Sequence, residues 1–182
     1  MRFANGLVAY LIVLVGSPRS TYFNLMSRAF TKEDDSNSSI DLGERPLSTH
    51  RNLVTIEGLA MIDAELAAAH GELAKGNAEA DRNMIARASR DLRYWSARRE
   101  TAELSIPDPD SDVVRFGMTV TIADEDDKKQ VWKIVGEDEA DASHGKISHI
   151  SPIANLMFGK SIGDSFVLNG HEWEIVKIQI NE

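Results

Sequence analysis

Between Thr55 and Ala102 the apolar residues keep a helical rhythm that fails once, and this broken rhythm limits what the chain can become. Leu59, Ile62, Leu66, Ala69 and Leu73 recur at spacings of three and four, and Ile85, Ala88, Leu92, Trp95 and Ala102 repeat the pattern with Arg99 standing in the row. That spacing puts one row of side chains on one face of an α-helix, as in a coiled-coil seam. Gly76-Asn77 interrupts it, Thr55 is a suitable N-cap, and Ile106-Pro107 is a suitable stop. Two helices joined by so short a break must lie antiparallel. The pattern predicts a hairpin over residues 54–106 with its tip near 75–82. Each arm would have roughly 20 to 25 residues and reach about 30 to 35 Å at 1.5 Å per residue. No third apolar helix follows that could make the pair part of a bundle.

Beyond the linker Asp108-Pro109-Asp110 the period changes to that of short strands. Met118 to Ala123, Val131 to Gly136, Lys146 to Ile150, Ser165 to Leu168 and Glu172 to Ile180 are rich in β-branched residues, with turn signals at Asp124 to Asp127, Gly145 and Asn169-Gly170. The last is a strong two-residue hairpin signal. Pro152 to Phe158, with Ser151 before it and Gly159 after it, reads as one short helix. The fold class is therefore α+β, an antiparallel helical hairpin followed over residues 107–182 by a mostly antiparallel sheet with one helix.

Charge and composition narrow the functions available. The chain has no cysteine, so disulfides, thiolate metal sites and cysteine nucleophiles are excluded. Of a net charge of −9, residues 107–182 carry −8. So acidic a module is repelled by a phosphate backbone and suits a basic protein surface. The five histidines show no metal-ligand spacing, and no cofactor is expected. At the N-terminus, Leu7 to Val15 form nine unbroken apolar residues, too short to span a bilayer. A secretory signal, a peripheral anchor and translated upstream sequence compete for residues 1–25. The last is preferred, because Met26 opens a stretch that reads as a natural cytoplasmic start. Residues 26–53 are polar, without period, and are expected to form a flexible tail.

Four short series in order then carry a resemblance: Phe116-Gly117-Met118-Thr119-Val120; Ile134-Val135-Gly136-Glu137-Asp138-Glu139-Ala140-Asp141; Ile147-Ser148-His149-Ile150-Ser151-Pro152; and Gly159-Lys160-Ser161-Ile162-Gly163-Asp164. Together they resemble the C-terminal domain of the bacterial Gre transcription elongation factors, in a short-hairpin form. The resemblance implies an FKBP-like sheet domain, a coiled-coil hairpin before it, and docking on RNA polymerase at the rim of its secondary channel. No aromatic pocket of the kind prolyl isomerase chemistry needs is legible, so the fold alone does not suggest that activity.

The resemblance also nominates residues. Ile150, Ser151 and Pro152 would touch polymerase, although Ser-Pro at a helix start is also ordinary capping. The acidic series Glu137, Asp138, Glu139 and Asp141 would meet a basic polymerase surface or form a solvated turn. In cleavage-stimulating members, two tip carboxylates three residues apart help hold Mg²⁺ at the polymerase active centre. Here the tip, Asn77-Ala78-Glu79-Ala80-Asp81, has acids two apart, and helix positions i and i+2 do not share a face. Asn77 would cap the second helix, with Glu79 and Asp81 in its first turn. The expectation is a non-enzymatic factor that modulates elongation with weak or no cleavage stimulation. The alternative is a cleavage factor in which Glu79 and Asp81 share polymerase Mg²⁺. Arg82, Arg87, Arg90, Arg93, Arg98 and Arg99 would face nascent RNA or pair with Glu65, Glu72 or Asp91, without sequence-specific nucleic acid binding. A cytoplasmic protein with no membrane contact is implied.

Overall fold

The structure, a computed structural model, describes residues 42–180. The apolar run Leu7 to Val15, the choice between Met1 and Met26 as the start, and the tail up to residue 41 lie outside the described residues.

The hairpin consists of α1, Ile56–Glu79, and α2, Arg82–Glu100. Thr55 caps α1 as expected, its hydroxyl oxygen accepting from the Gly58 amide at 3.0 Å. The break at Gly76-Asn77 does not occur, and α1 continues for another turn. Ala80 in the left-handed region ends it (φ 54°), with Asp81 N–H bonded to Gly76 O at 2.9 Å and Ala80 N–H to Asn77 O at 3.4 Å. This pair of bonds satisfies the last carbonyls of the helix in a Schellman arrangement. Gly76 serves packing instead of termination, because a Cβ there would lie 3.1 Å from Ile85 Cγ1. Asp81, not Asn77, is the N-cap of α2.

Along the seam Ile62, Ala69 and Gly76 are buried on α1, facing Ala88 and Trp95 on α2. Val54, Ile62 and Trp95 form a core at the base, and toward the tip the buried seam positions are the small residues Ala69, Gly76 and Ala88. Arg99 is exposed and pairs with Asp63 at 2.5 Å, while Arg98 is the arginine turned inward. The second helix also stops earlier than Ile106. Past Glu100 the chain forms β2, Glu103–Leu104, parallel to β1, Leu53–Val54. This pair, invisible in the apolar period because each strand has two residues, ties both ends of the hairpin together.

Leu42 to Asn52 had read as the end of a flexible tail but lies against α2. Glu44 pairs with Arg93 at 2.6 Å, the Arg45 guanidinium sits 3.6 Å from the Tyr94 ring centre, and Asn52 Nδ2 donates to Arg98 O at 2.7 Å. Isolated polar contacts of this kind have no period by which a sequence could announce them.

The second module is a five-stranded sheet of β3 (Met118–Asp124), β4 (Lys129–Val135), β5 (Lys146–Ser148), β6 (Ser165–Leu168) and β7 (His171–Ile180) in the order β5-β4-β3-β7-β6. Within this sheet β4 and β5 pair in parallel and the other neighbours are antiparallel. Asn169 and Gly170, at φ 54° and 82°, make the expected tight turn between β6 and β7. The helix α3, Pro152–Met157, drops Ala154 and Met157 into a core with Val114, Val120, Ile122, Ile134, Phe166 and Ile175.

The loop after β4 locks the two modules together. Asp138 and Glu139 are neither a solvated turn nor a free acidic surface: both are turned into the hairpin base. Asp138 accepts from Arg98 Nε and from the Tyr94 hydroxyl, each at 2.5 Å, and the Arg98 and Asp138 side chains are only 4% and 9% exposed. Burial, and then Asp138, raise the Tyr94 phenol to about 12, so it remains a donor. The Thr55 hydroxyl donates to Glu139 Oε1 at 2.8 Å while accepting from Gly58. Two glycines make room: a Cβ on Gly58 would come within 2.3 Å of Glu139 Oε2, and one on Gly136 within 2.7 Å of Leu53 O. Lys133 on β4 adds a pair with Glu57 at 3.0 Å.

Replacing glycine by alanine inside a helix ordinarily stabilises by about 1 kcal/mol. Gly71→Ala, at a position with nothing within 4 Å, should follow that rule in urea unfolding. Gly58→Ala should do the opposite, losing about 1 to 3 kcal/mol by displacing the Glu139 carboxylate. The hydrogen bond from Lys133 is the main reason the Glu57 pKa falls from 4.5 to about 2. A carboxylate with a depressed folded-state pKa contributes stability that is present above pH 4.5 and disappears as pH falls towards 2. Lys133→Met should therefore flatten the decline of the urea midpoint across that window.

Candidate functional site

The loop nominated by the resemblance lies between β5 and α3, and its backbone is held on several sides. Ser151 caps α3, its hydroxyl accepting from the Ala154 amide at 3.3 Å, with Pro152 in the first helical turn. Ser151 N–H reaches Ser148 O at 2.9 Å, and Asn155 Nδ2 donates to Ile150 O at 3.3 Å. Pro152 is exposed, while Ile150 and Ser151 are half-buried. Beneath the loop His149 is buried, edge-on to Phe116 at 5.6 Å, and burial lowers its pKa. A neutral imidazole there belongs to the packing of the loop.

Beside the loop the sheet gathers residues that are far apart in sequence. Trp132, Pro152, Ile153, Leu168 and Trp173 line an open groove of about 430 Å³, with Gln130, Asn169 and His171 as its polar groups. The sequence had shown no aromatic pocket, because its two tryptophans come from β4 and β7 and meet only when the strands pair across β3.

Of the acidic series, Asp141 alone is fully outside. Its carboxylate accepts from the Ser143 hydroxyl at 2.5 Å and lies 2.6 Å from His144 Nδ1, contacts that bring its pKa to about 2. The same His144 nitrogen faces both Asp141 and Ser143; Asp141 is the N-cap of the short 3-10 turn Ala142–His144 to which the other two belong. Glu137 is half-buried, with Oε1 enclosed and without a hydrogen-bond partner.

At the tip, Asn77 and Glu79 lie in the last turn of α1 and Asp81 begins α2. Glu79 and Asp81 thus flank the reversal at Ala80 and do not share the first turn of one helix. Asp81 Oδ1 is occupied by two backbone amides, of Asn83 at 2.9 Å and Met84 at 3.1 Å. Among the described residues no group of three or more His, Asp or Glu side chains is placed to hold a metal ion. On α2, Arg87 is exposed, Arg90 pairs with its neighbour Asp91 at 3.0 Å, and Arg93 and Arg99 pair with Glu44 and Asp63. The partners found for Arg90, Arg93 and Arg99 are not the anticipated Glu65 and Glu72. Among the described residues no helix is long and apolar enough to cross a membrane.

The family model described as "Transcription elongation factor, GreA/GreB, C-term" matches residues 108–180. The chain is 39% identical over 121 residues to the transcription elongation factor GreA of Nitrobacter winogradskyi, an alignment covering 62% of this chain and 76% of that protein. The GreA of Bartonella henselae is 37% identical over 123 residues, with the same coverage of each. Among solved structures, a GreA/GreB factor from Nitrosomonas europaea aligns over 69% of this chain and 97% of its own, at 19% identity and a TM-score of 0.33, too loose a superposition to add to the sequence matches. The family-model match over residues 108–180, together with relatives 37 to 39% identical over alignments longer than that module and covering 76% of their own length, places this chain in the GreA/GreB family of transcription elongation factors.

Proposed function

We propose that this protein binds RNA polymerase through the Ile150-Ser151-Pro152 loop, extends its hairpin into the secondary channel and modulates elongation with little or no stimulation of transcript cleavage. The observation that carries the last part is the use of Asp81. Its Oδ1 accepts two amides of the turn that starts α2, so sharing a cation would compete with the cap, worth about 1 kcal/mol to the helix. Glu79, at the negative end of the α1 dipole, is left as a single free carboxylate. Two carboxylates pointed at one position are what a shared Mg²⁺ needs. No cofactor of its own enters this reading.

Docking through the Ser-Pro loop draws support from its rigidity, since a contact surface that is already ordered loses little entropy on binding. The acidity left outside, which includes Asp108, Asp110, Asp112, Glu125 to Asp127, Asp141, Asp164, Glu172 and Glu174, favours a basic protein partner over nucleic acid. Arg87 and the tip face are what the hairpin can offer to nascent RNA, and the remaining arginines named above are already paired.

Incubating stalled elongation complexes with the protein and Mg²⁺ should leave the transcript 3′ end intact while changing the rate of resumed elongation. Shortening of the transcript that disappears in the Glu79→Ala, Asp81→Ala double variant would establish the cleavage alternative instead. Separately, Pro152→Glu or Ser151→Arg should weaken polymerase pull-down at least tenfold with an unchanged circular dichroism spectrum. Undiminished binding by both variants would place the contact elsewhere.

A further inference from the structure

The segment Leu42 to Asn52 runs beside α2 and brings one side chain to the place where the hairpin meets the β module. The Arg45 guanidinium lies 3.6 Å from the centre of the Tyr94 ring and 4.9 Å from that of Trp95, with Nη1 3.5 Å from Asp91. Tyr94 is therefore held on two sides, by Arg45 on its face and by Trp95 edge-on at 4.9 Å. Its hydroxyl is the donor to Asp138, across the junction from hairpin to β module. Arg98, the other donor to Asp138, is fixed by its own burial. Tyr94 is half-buried and has no such enclosure; a cation over its ring face supplies the missing wall.

We propose that Arg45 is a positioning residue: seated on the Tyr94 ring, it keeps the Tyr94 hydroxyl on Asp138 and so fixes the angle at which the hairpin leaves the β module. The consequence for function rests on the proposal above that the hairpin works inside the polymerase channel. The 24 residues of α1 make a lever of about 36 Å at 1.5 Å per residue, so a swing of about 5° at the base moves the tip by about 3 Å. That is comparable to the distance over which a side chain keeps or loses a contact. Glu44, the neighbouring strap residue, pairs with Arg93 on the exposed face of α2 and has no route to Asp138. It is the natural control.

Because the chain has no cysteine, spin labels placed at Asn77→Cys near the tip and Val167→Cys on β6 in the full chain report the hairpin angle without background. Arg45→Ala should widen the label-to-label distance distribution about twofold. Tyr94→Phe, which removes only the hydroxyl, should reproduce the widening, Arg45→Lys should restore part of the narrowness, and Glu44→Ala should leave the distribution as it was. An unchanged width in Arg45→Ala would overturn the proposal, as would a widening that Tyr94→Phe fails to share. Polymerase pull-down by Arg45→Ala should equal that of the parent while its effect on elongation rate falls severalfold. Should the parent itself fail to bind polymerase, the docking reading falls, and the distance distributions still decide the role of Arg45.

Discussion

The Asp138 carboxylate is buried in the contact between hairpin and β module, where Arg98 and Tyr94 meet it. An ion removed from water is tolerated when it is paired and its oxygens are hydrogen-bonded, and losing one partner of such a pair costs about 3 to 5 kcal/mol. Both partners come from α2, so the β module has a satisfied interior only while the hairpin is in place. Glu139 repeats the dependence with α1, through a Thr55 hydroxyl that caps the helix and donates to the carboxylate together. The folding of the two modules is coupled by this requirement and by Leu53 of β1, which packs against the apolar core of the β module.

Gly58 and Gly136 belong to the same constraint. Neither has a positive φ, so neither is needed for backbone freedom. Each is needed because something stands where a Cβ would be: a carboxylate against Gly58, a carbonyl against Gly136. The series Val135 to Asp141 and Thr55 to Gly58 are the two halves of one joint. Read separately along the chain they look like an acidic turn and a helix start. The pairing of a glycine on one with a carboxylate on the other is a three-dimensional fact with no trace in either segment alone.

This explains which parts of the fold were legible. The strands of the β module followed from their β-branched content and turn residues, and α3 from Ser151, Pro152 and Gly159, because each signal acts within a few residues of the structure it specifies. The hairpin was legible through its seam, yet its tip was misplaced because Gly76 resembles a terminator. Its lack of a side chain serves the neighbouring helix, and the left-handed position fell on Ala80, a residue that rarely takes it. The choice between Arg98 and Arg99 for the interior turned on one acceptor, Asp138, some forty positions away. Similarly, the groove between Trp132 and Trp173 exists only once β4 and β7 are set on either side of β3.

The division of charge takes on a different meaning once the joint is known. The β module is acidic by sequence, but Asp138 and Glu139 are enclosed and act on the hairpin, so the acidity that acts at a distance is that of the exposed carboxylates: Asp108, Asp110 and Asp112 before β3, the β3–β4 turn, Asp141, Asp164, Glu172 and Glu174. The basic character of α2 is reduced in the same way, with Arg98 enclosed and Arg90, Arg93 and Arg99 neutralised at short range. Fields from such pairs fall away within a few ångströms in salt water, since the Debye length is about 8 Å at physiological ionic strength. A hairpin read from its sequence as an arginine-rich arm for polyanions therefore presents much less positive charge than its composition suggests.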